Sequence, residues 1–249
     1  MIRWTYAFID RPRPGFDRAA AFWTAVTQTH LSSRRGEDDE FATFIPAAPH
    51  DACLKLQGVV EGSGAHLDLA YEHVEPQVER IAALGARVLV QIEGFAVLSS
   101  PAGLPFCLVT WVGEQARPDV VTHPGGATSR VDQVCLDIGP SEYDVEADFW
   151  HAVTGWERLR GSLPEFEVLK PAASLPIRIL LQRLGEDRRA GAHLDLACSD
   201  ADKVREVHEA HGAHTVGRGA HWIVMTDPAD GVYCLTARDP RTGSRPVSS

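Results

Sequence analysis

The hexapeptide Ala-His-Leu-Asp-Leu-Ala occurs twice in this chain, at residues 65–70 and 192–197. Its histidines, His66 and His193, stand 127 residues apart, about half of the 249-residue length. The register persists outside the motif. Phe22-Trp23 returns as Phe149-Trp150, Gly85-Ala86 as Gly212-Ala213 and Cys107-Leu108 as Cys234-Leu235, all at the same offset. Pro46-Ala47-Ala48 and Gln57 return two residues early, as Pro171-Ala172-Ala173 and Gln182. A repeat this long is a duplicated domain, not a solenoid unit of a few dozen residues. The expected organisation is one domain over 1–112, a linker over 113–129, a second domain over 130–240 and a tail over 241–249. Pro118, Pro124, Gly125 and Gly126 break the apolar pattern in the linker, and the tail has no apolar period and is expected to fray.

Each copy alternates strands with single helices. Residues 3–10 and 131–138 have the two-residue period of a strand, with Tyr6, Phe8 and Asp10 on one face and Gln133, Cys135 and Asp137 on the matching face. A helix is expected over 17–27 and 145–154, with apolar faces through Phe22 and Val26 or Phe149 and Val153. Three short strands follow, clearest at 156–161, 166–170 and 177–183. The histidine strand opens a second unit, whose helix runs over 75–84 or 201–211 and stops at Gly85 or Gly212. Three more strands finish each copy. Every half is therefore βαβββ followed by βαβββ.

Composition narrows the function. With 24 basic and 34 acidic residues the net charge is −10, a poor match for nucleic acid. No stretch approaches the roughly 20 apolar residues that span a bilayer, and the first residues show no basic segment followed by an apolar run. The five cysteines form no CxxC pair, which suits reduced thiols in a cytoplasm and excludes a disulfide or zinc-ribbon framework. The expected partner is a small molecule, with the chain a monomer or a homodimer.

Strand parity selects the candidate site. Residues two apart share a face, so His66 with Asp68, and His193 with Asp195, project together. A carboxylate beside an imidazole raises its pKa and holds its tautomer, which would suit a general base or an anionic or hydroxylated ligand. The same parity adds Gln57, Gln182 and Arg178, the last placed to meet an anion. Asp10 and Asp137, at strand ends, are expected to cap turns. Trp111 and Trp222 are expected to pack in the core. His208, His211 and His214 straddle a helix end and are expected on a solvated surface.

Taken in order, the Phe-Trp helix, the His-Leu-Asp-Leu strand, the helix end at His211-Gly212-Ala213 and the Asp227-Pro228 hairpin with Gly231 resemble the glyoxalase-like subgroup of the vicinal oxygen chelate superfamily. That superfamily includes glyoxalase I, extradiol dioxygenases and bleomycin resistance proteins. The resemblance covers nearly the whole chain and implies an α+β fold: two tandem domains, each of two βαβββ modules forming a curled, cup-shaped mixed sheet with helices outside. It also implies where a divalent ion would sit. The three ligand positions fall on Tyr6, His66 and Cys107 in the first copy, and on Gln133, His193 and Cys234 in the second. Neither set offers the carboxylate oxygens a hard ion wants. Gln133, His193 and Cys234 are the better metal candidates, while small buried strand residues are the simpler reading of Cys107 and Cys234.

Two functions fit. One is a small-molecule binding protein of the drug-sequestering type that works without the full metal triad. The other is a divalent-metal-dependent lyase, isomerase or dioxygenase with its active site in the second domain.

Overall fold

The computed structural model describes residues 1–161 and 163–245. The first half contains β1 (Trp4–Pro12), α1 (Phe16–Thr27), β2 (His30–Leu31), β3 (Phe41–Ile45) and β4 (Leu54–Val59), then β5 (Gly64–Tyr71), α2 (Glu75–Ala83), β6 (Arg87–Ile92), β7 (Phe95–Ser99) and β8 (Pro105–Thr110). The second half repeats this after a short β9 (Val121–Thr122). It contains β10 (Thr128–Ile138), α3 (Tyr143–Thr154), β11 (Glu157–Arg160), β12 (Phe166–Lys170) and β13 (Arg178–Arg183). Then come β14 (Gly191–Cys198), α4 (Ala201–Ala210), β15 (His214–Arg218), β16 (Trp222–Thr226) and β17 (Val232–Ala237).

The duplication is explicit in the topology. The first sheet runs β2-β3-β4-β1-β5-β8-β7-β6 and the second β11-β12-β13-β10-β14-β17-β16-β15. In each, the two modules join through an antiparallel central pair, β1 with β5 and β10 with β14. Parallel partners flank that pair: β4 and β8 in the first sheet, β13 and β17 in the second. This is the α+β pair of curled mixed sheets that the family resemblance implies. The alternation seen in the sequence sends Ala7 and Ile9, or Val134, Leu136 and Ile138, into the core beneath the helices. The opposite faces line two cups.

The repeated Phe-Trp dipeptides join the halves. From α1, Phe22 and Trp23 pack on Tyr233 of the second domain, and Trp23 Nε1 donates to Asp227 at 2.8 Å. From α3, Phe149 and Trp150 pack on Phe106 of the first domain. A buried ion pair, Arg11 Nε to Asp227 at 2.7 Å, crosses the same boundary. Ser100 stands where the first copy would have its equivalent of Asp227. There Glu146 supplies the acid, accepting from Trp150 Nε1 at 2.7 Å and from the Ala102 amide at 2.8 Å. His208 belongs to this boundary too. It is fully buried, its Nδ1 lies 2.9 Å from the Tyr233 hydroxyl, and burial lowers its pKa to about 3. The expected solvated histidine surface holds only for His211 and His214. Tertiary packing covers a helix turn that looked exposed from its distance to Gly212.

The segments read as linker and tail also have structure. Within 113–129 lie β9 and the start of β10, and Glu114 reaches back to the first cup. Gly243 accepts from Arg178 at 3.2 Å, and Gly243 and Arg245 wall the second cup. That part of the tail is therefore docked; residues 246–249 of it lie outside the described residues. Among the described residues no helix is long and apolar enough to cross a membrane.

Candidate functional site

Register between the central strands builds both cups. In the second, His193 on β14 stands opposite Cys135, and Asp195 stands opposite Gln133 and beside Cys234 of β17. Arg178 of β13 pairs with Gln133 on the other side. In the first, His66 stands opposite Phe8, and Asp68 stands opposite Tyr6 and beside Cys107.

The histidine rings are held, but by other carboxylates than the His-x-Asp motif suggests. His66 Nδ1 lies 2.7 Å from Asp10, and His193 Nδ1 lies 3.0 Å from Asp137. Asp10 and Asp137 are thus ring-orienting residues and not turn caps. A strand-end carboxylate on β1 or β10 reaches across the antiparallel pair to the neighbouring histidine. Asp68 and Asp195 face the other ring nitrogen at 3.7 and 3.4 Å. Burial disfavours the charged ring of His66, yet the Asp10 and Asp68 carboxylates outweigh it and its pKa is raised. Burial also opposes a charged His193. Cys135 would favour the charge only as a thiolate, and its own burial keeps it protonated. Asp137 and Asp195 therefore hold the proton, and the pKa of His193 is raised.

The two cups differ in what fills them. In the first, Lys55 Nζ sits 3.7 Å above the Tyr6 ring and 3.6 Å from Asp68, and Tyr6 donates to Glu114 of the linker. Phe8 stacks on His66 at 4.5 Å and meets Phe41 edge to face. Burial lowers the pKa of Lys55, and Asp68 opposes that shift. Strand parity places Lys55 on the same face as Gln57, so its presence here was legible and was missed. The second copy has Leu180 for Lys55, Cys135 for Phe8 and Gln133 for Tyr6. Smaller side chains leave a cavity of about 220 Å³.

That cavity collects most of the expected second-copy residues: His193, Asp195, Gln133, Arg178, Gln182 and Cys234. Phe166, Val168, Leu180 and Trp222 make its apolar wall, with Phe166 and Trp222 edge to face at 5.5 Å. Trp222 therefore lines a pocket where core packing was expected; Trp111 packs against the core beneath Arg3. Cys234 is more than a small core residue, because its sulfur lies 3.5 Å from His193 Nε2. Gln133 donates to Asp195 while its Oε1 accepts from Arg178 Nε at 2.6 Å. Arg178 bonds only neutral oxygens, those of Gln133 and Gly243, and no carboxylate lies within 4.0 Å of it among the described residues. Burial, with the nearby Arg238 charge, lowers its pKa to about 10. Arg238 is satisfied, clasping buried Asp132 through two bonds of 2.7 Å. Asp132 escaped the sequence reading because a bulge between Val131 and Gln133 breaks the parity there.

A metal can be judged on these donors. His193 Nε2, Cys234 Sγ and Asp195 Oδ1 converge, with the ligand atoms within 4.8 Å of one another, and Asp195 Oδ1 is buried without a hydrogen-bond partner. With Asp137 orienting the ring from behind, this set fits a borderline-soft ion such as zinc. The amide of Gln133, expected as a ligand, is committed to Arg178 and Asp195; the nearby oxygen donor is Asp195. His66, Asp68 and Cys107 converge likewise, but the Lys55 ammonium already lies beside Asp68. Burial raises the pKa of Cys234, so an ion would have to displace its proton.

The model of a glyoxalase-like domain matches the chain twice, over residues 7–109 and 133–236. The protein belongs to the glyoxalase-like domain family. Its fold resembles that of the Mn(II)-bound glyoxalase from Novosphingobium aromaticivorans, with a TM-score of 0.64 at 19% identity, over 93% of this chain and 80% of that one. It also resembles the 2,2',3-trihydroxybiphenyl 1,2-dioxygenase from Sphingomonas wittichii, with a TM-score of 0.62 at 10% identity, over 95% and 90% of the two chains. At these identities the likeness is one of fold. No curated protein matches the sequence.

Proposed function

We propose that the second cup is the working site and that it binds a small organic acid with an apolar or aromatic body, with the first cup as its closed counterpart. The observation that carries this reading is Arg178: a guanidinium in a cavity with one apolar wall, whose bonds among the described residues go to neutral oxygens. A buried charge is costly until it is paired, and a ligand carboxylate would pair it. Phe166, Leu180 and Trp222 would take the apolar body. At about 220 Å³ the cavity is smaller than the roughly 300–1,000 Å³ of drug-sized pockets, which suits a single-ring ligand. A thermal-shift and calorimetry series of benzoates against the matching benzamides tests it. Acids should bind and amides should not, and Arg178→Leu should erase the preference. Equal binding of both, or binding of neither, overturns the assignment.

The convergence of His193 Nε2, Cys234 and Asp195 Oδ1 supports a second reading, a metal-dependent lyase, isomerase or dioxygenase at the same cup. A bound ion would polarise a ligand oxygen there. Metal content measured by mass spectrometry on protein purified without chelator, with and without His193→Ala, decides it. Stoichiometric metal lost in the variant, with turnover of a hemithioacetal, epoxide or catechol, would favour the enzyme. Absence of both would remove it.

A further inference from the structure

Another cavity lies outside both cups, where the two domains meet the linker. It measures about 300 Å³, at the lower end of the roughly 300–1,000 Å³ of ligand pockets. Phe44 and Leu54 of the first domain, Val121 of the linker, and Val131 and Leu196 of the second domain give it an apolar wall. Ala47 and Asp119, which also line it, are exposed, so it opens to solvent on that side.

Arg130 brings a positive charge to this cavity. Its Nε is buried without a hydrogen-bond partner, and its Nη2 donates to the Arg241 carbonyl at 3.1 Å. Arg117 is in the same condition, with a buried, unpartnered Nε and an Nη1 that donates to the Ala173 carbonyl at 3.0 Å. Among the described residues no carboxylate forms an ion pair with either guanidinium. The acids around them are engaged elsewhere. Asp51 accepts from the Gln115 and Ala116 amides, both at 2.8 Å, Asp119 pairs with His50 at 3.4 Å, and Asp132 is clasped by Arg238. Burial, with the neighbouring Arg117 charge, lowers the pKa of Arg130 to about 10. Cys53 lies in the wall beside both charges, yet burial pushes its thiol up to about 12, so it stays protonated and offers no counter-charge.

The duplication supplies an internal control. Opposite Ala70 of β5 stands Trp4, wholly buried, with its Nε1 donating to the Ala52 carbonyl at 2.9 Å. Opposite Ala197, the matching residue of β14, stands Arg130. The bulge between Val131 and Gln133 shifts the register by one residue and so brings the arginine to the place of the tryptophan. A satisfied indole in one copy is thus exchanged for a guanidinium without an acid in the other.

We propose that this boundary cavity binds a monoanionic aliphatic carboxylate, with its head on Arg130 and its chain along the apolar wall. A buried charge is costly until it is paired, and the planar guanidinium fork matches a carboxylate. One charge beside an apolar wall calls for one anionic head and one apolar tail. The site is separate from the second cup and does not depend on Arg178.

Calorimetric titration of octanoate, octanamide and inorganic phosphate into the full chain tests this. Octanoate should bind, and octanamide and phosphate should bind at least about tenfold more weakly, the lower end expected for a charge-assisted hydrogen bond. Arg130→Met should weaken octanoate binding by a similar factor, while Arg178→Leu should leave it unchanged. Ala47→Trp, on the exposed rim, should block uptake with the guanidinium intact, and decides the matter if circular dichroism shows that Arg130→Met does not fold. No octanoate binding by the unaltered chain overturns the proposal, as does binding indifferent to Arg130→Met. Loss of binding with Arg178→Leu places the ligand in the second cup and overturns it too. So does phosphate bound as tightly as octanoate.

Discussion

The two cups come from one ancestral sequence and share their histidine machinery, yet one is filled and the other is open. Asp10–His66–Asp68 and Asp137–His193–Asp195 are the same triad. Around the first, Lys55, Tyr6, Phe8 and Glu114 occupy the space, with the Lys55 ammonium beside Asp68. Around the second, Leu180, Cys135 and Gln133 leave a cavity and an arginine that, among the described residues, bonds only neutral oxygens. A repeated motif therefore marks a place in the fold. Whether it is a working site depends on neighbours contributed by other strands.

Removing the plug should have the largest effect. Lys55→Leu, which copies the residue of the second cup, takes the ammonium away from buried Asp68 and leaves it only the His66 ring. Breaking a buried pair in this way costs about 3 kcal/mol, measured by denaturant unfolding. Loss of stability together with new zinc binding at His66, Asp68 and Cys107 would show that the lysine stands where an ion would. An unchanged unfolding midpoint would deny the pair any structural role.

Next come the binding variants. Arg178→Leu should weaken binding of an acid by roughly ten- to a hundredfold, the range of a charge-assisted hydrogen bond. His193→Ala should weaken it comparably, while His66→Ala should leave calorimetric affinity unchanged. If His66→Ala and His193→Ala act alike, the asymmetry between the cups is wrong.

A smaller effect tests where the cups agree. The pKa of His66 and of His193 is raised in the folded chain. Their pairing with Asp10 and Asp137 therefore stabilises fully below the unfolded histidine pKa of about 6.5 and fades as pH rises through the folded value. Asp10→Asn and Asp137→Asn should each cost more stability at pH 6 than at pH 9 in metal-free protein. His208 behaves oppositely. Its folded pKa of about 3 makes the unfolded state bind the extra proton, so stability falls as pH drops from about 6.5 toward 3. Replacing His208 with Gln should flatten that acid limb, read from unfolding midpoints across the range. The smallest change is expected at Gln57, a half-buried residue on the first-cup side. Gln57→Ala should alter stability by no more than about 0.5 kcal/mol.

Much of this was legible without coordinates because strand alternation is a local property. Tyr6, His66, Gln133 and Arg178 were placed on the cup faces by counting in twos. The motif's own carboxylates do lie beside the rings, but the carboxylates on the Nδ1 side were missed because the nearest residue in sequence is not the nearest across an antiparallel pair. Asp10 meets His66 only through the register of β1 with β5. Asp132 was hidden by a bulge, and His208 by the second domain's packing against α1.

The sequence by itself determined the duplication, the order of the βαβββ modules and the polar faces, since each follows from period and repeat. Tertiary structure alone decided which carboxylate orients each histidine and which cup is open. It also decided that the paired Phe-Trp helices join the halves. Those outcomes depend on side-chain volume and reach between strands far apart in the chain, which no local pattern encodes.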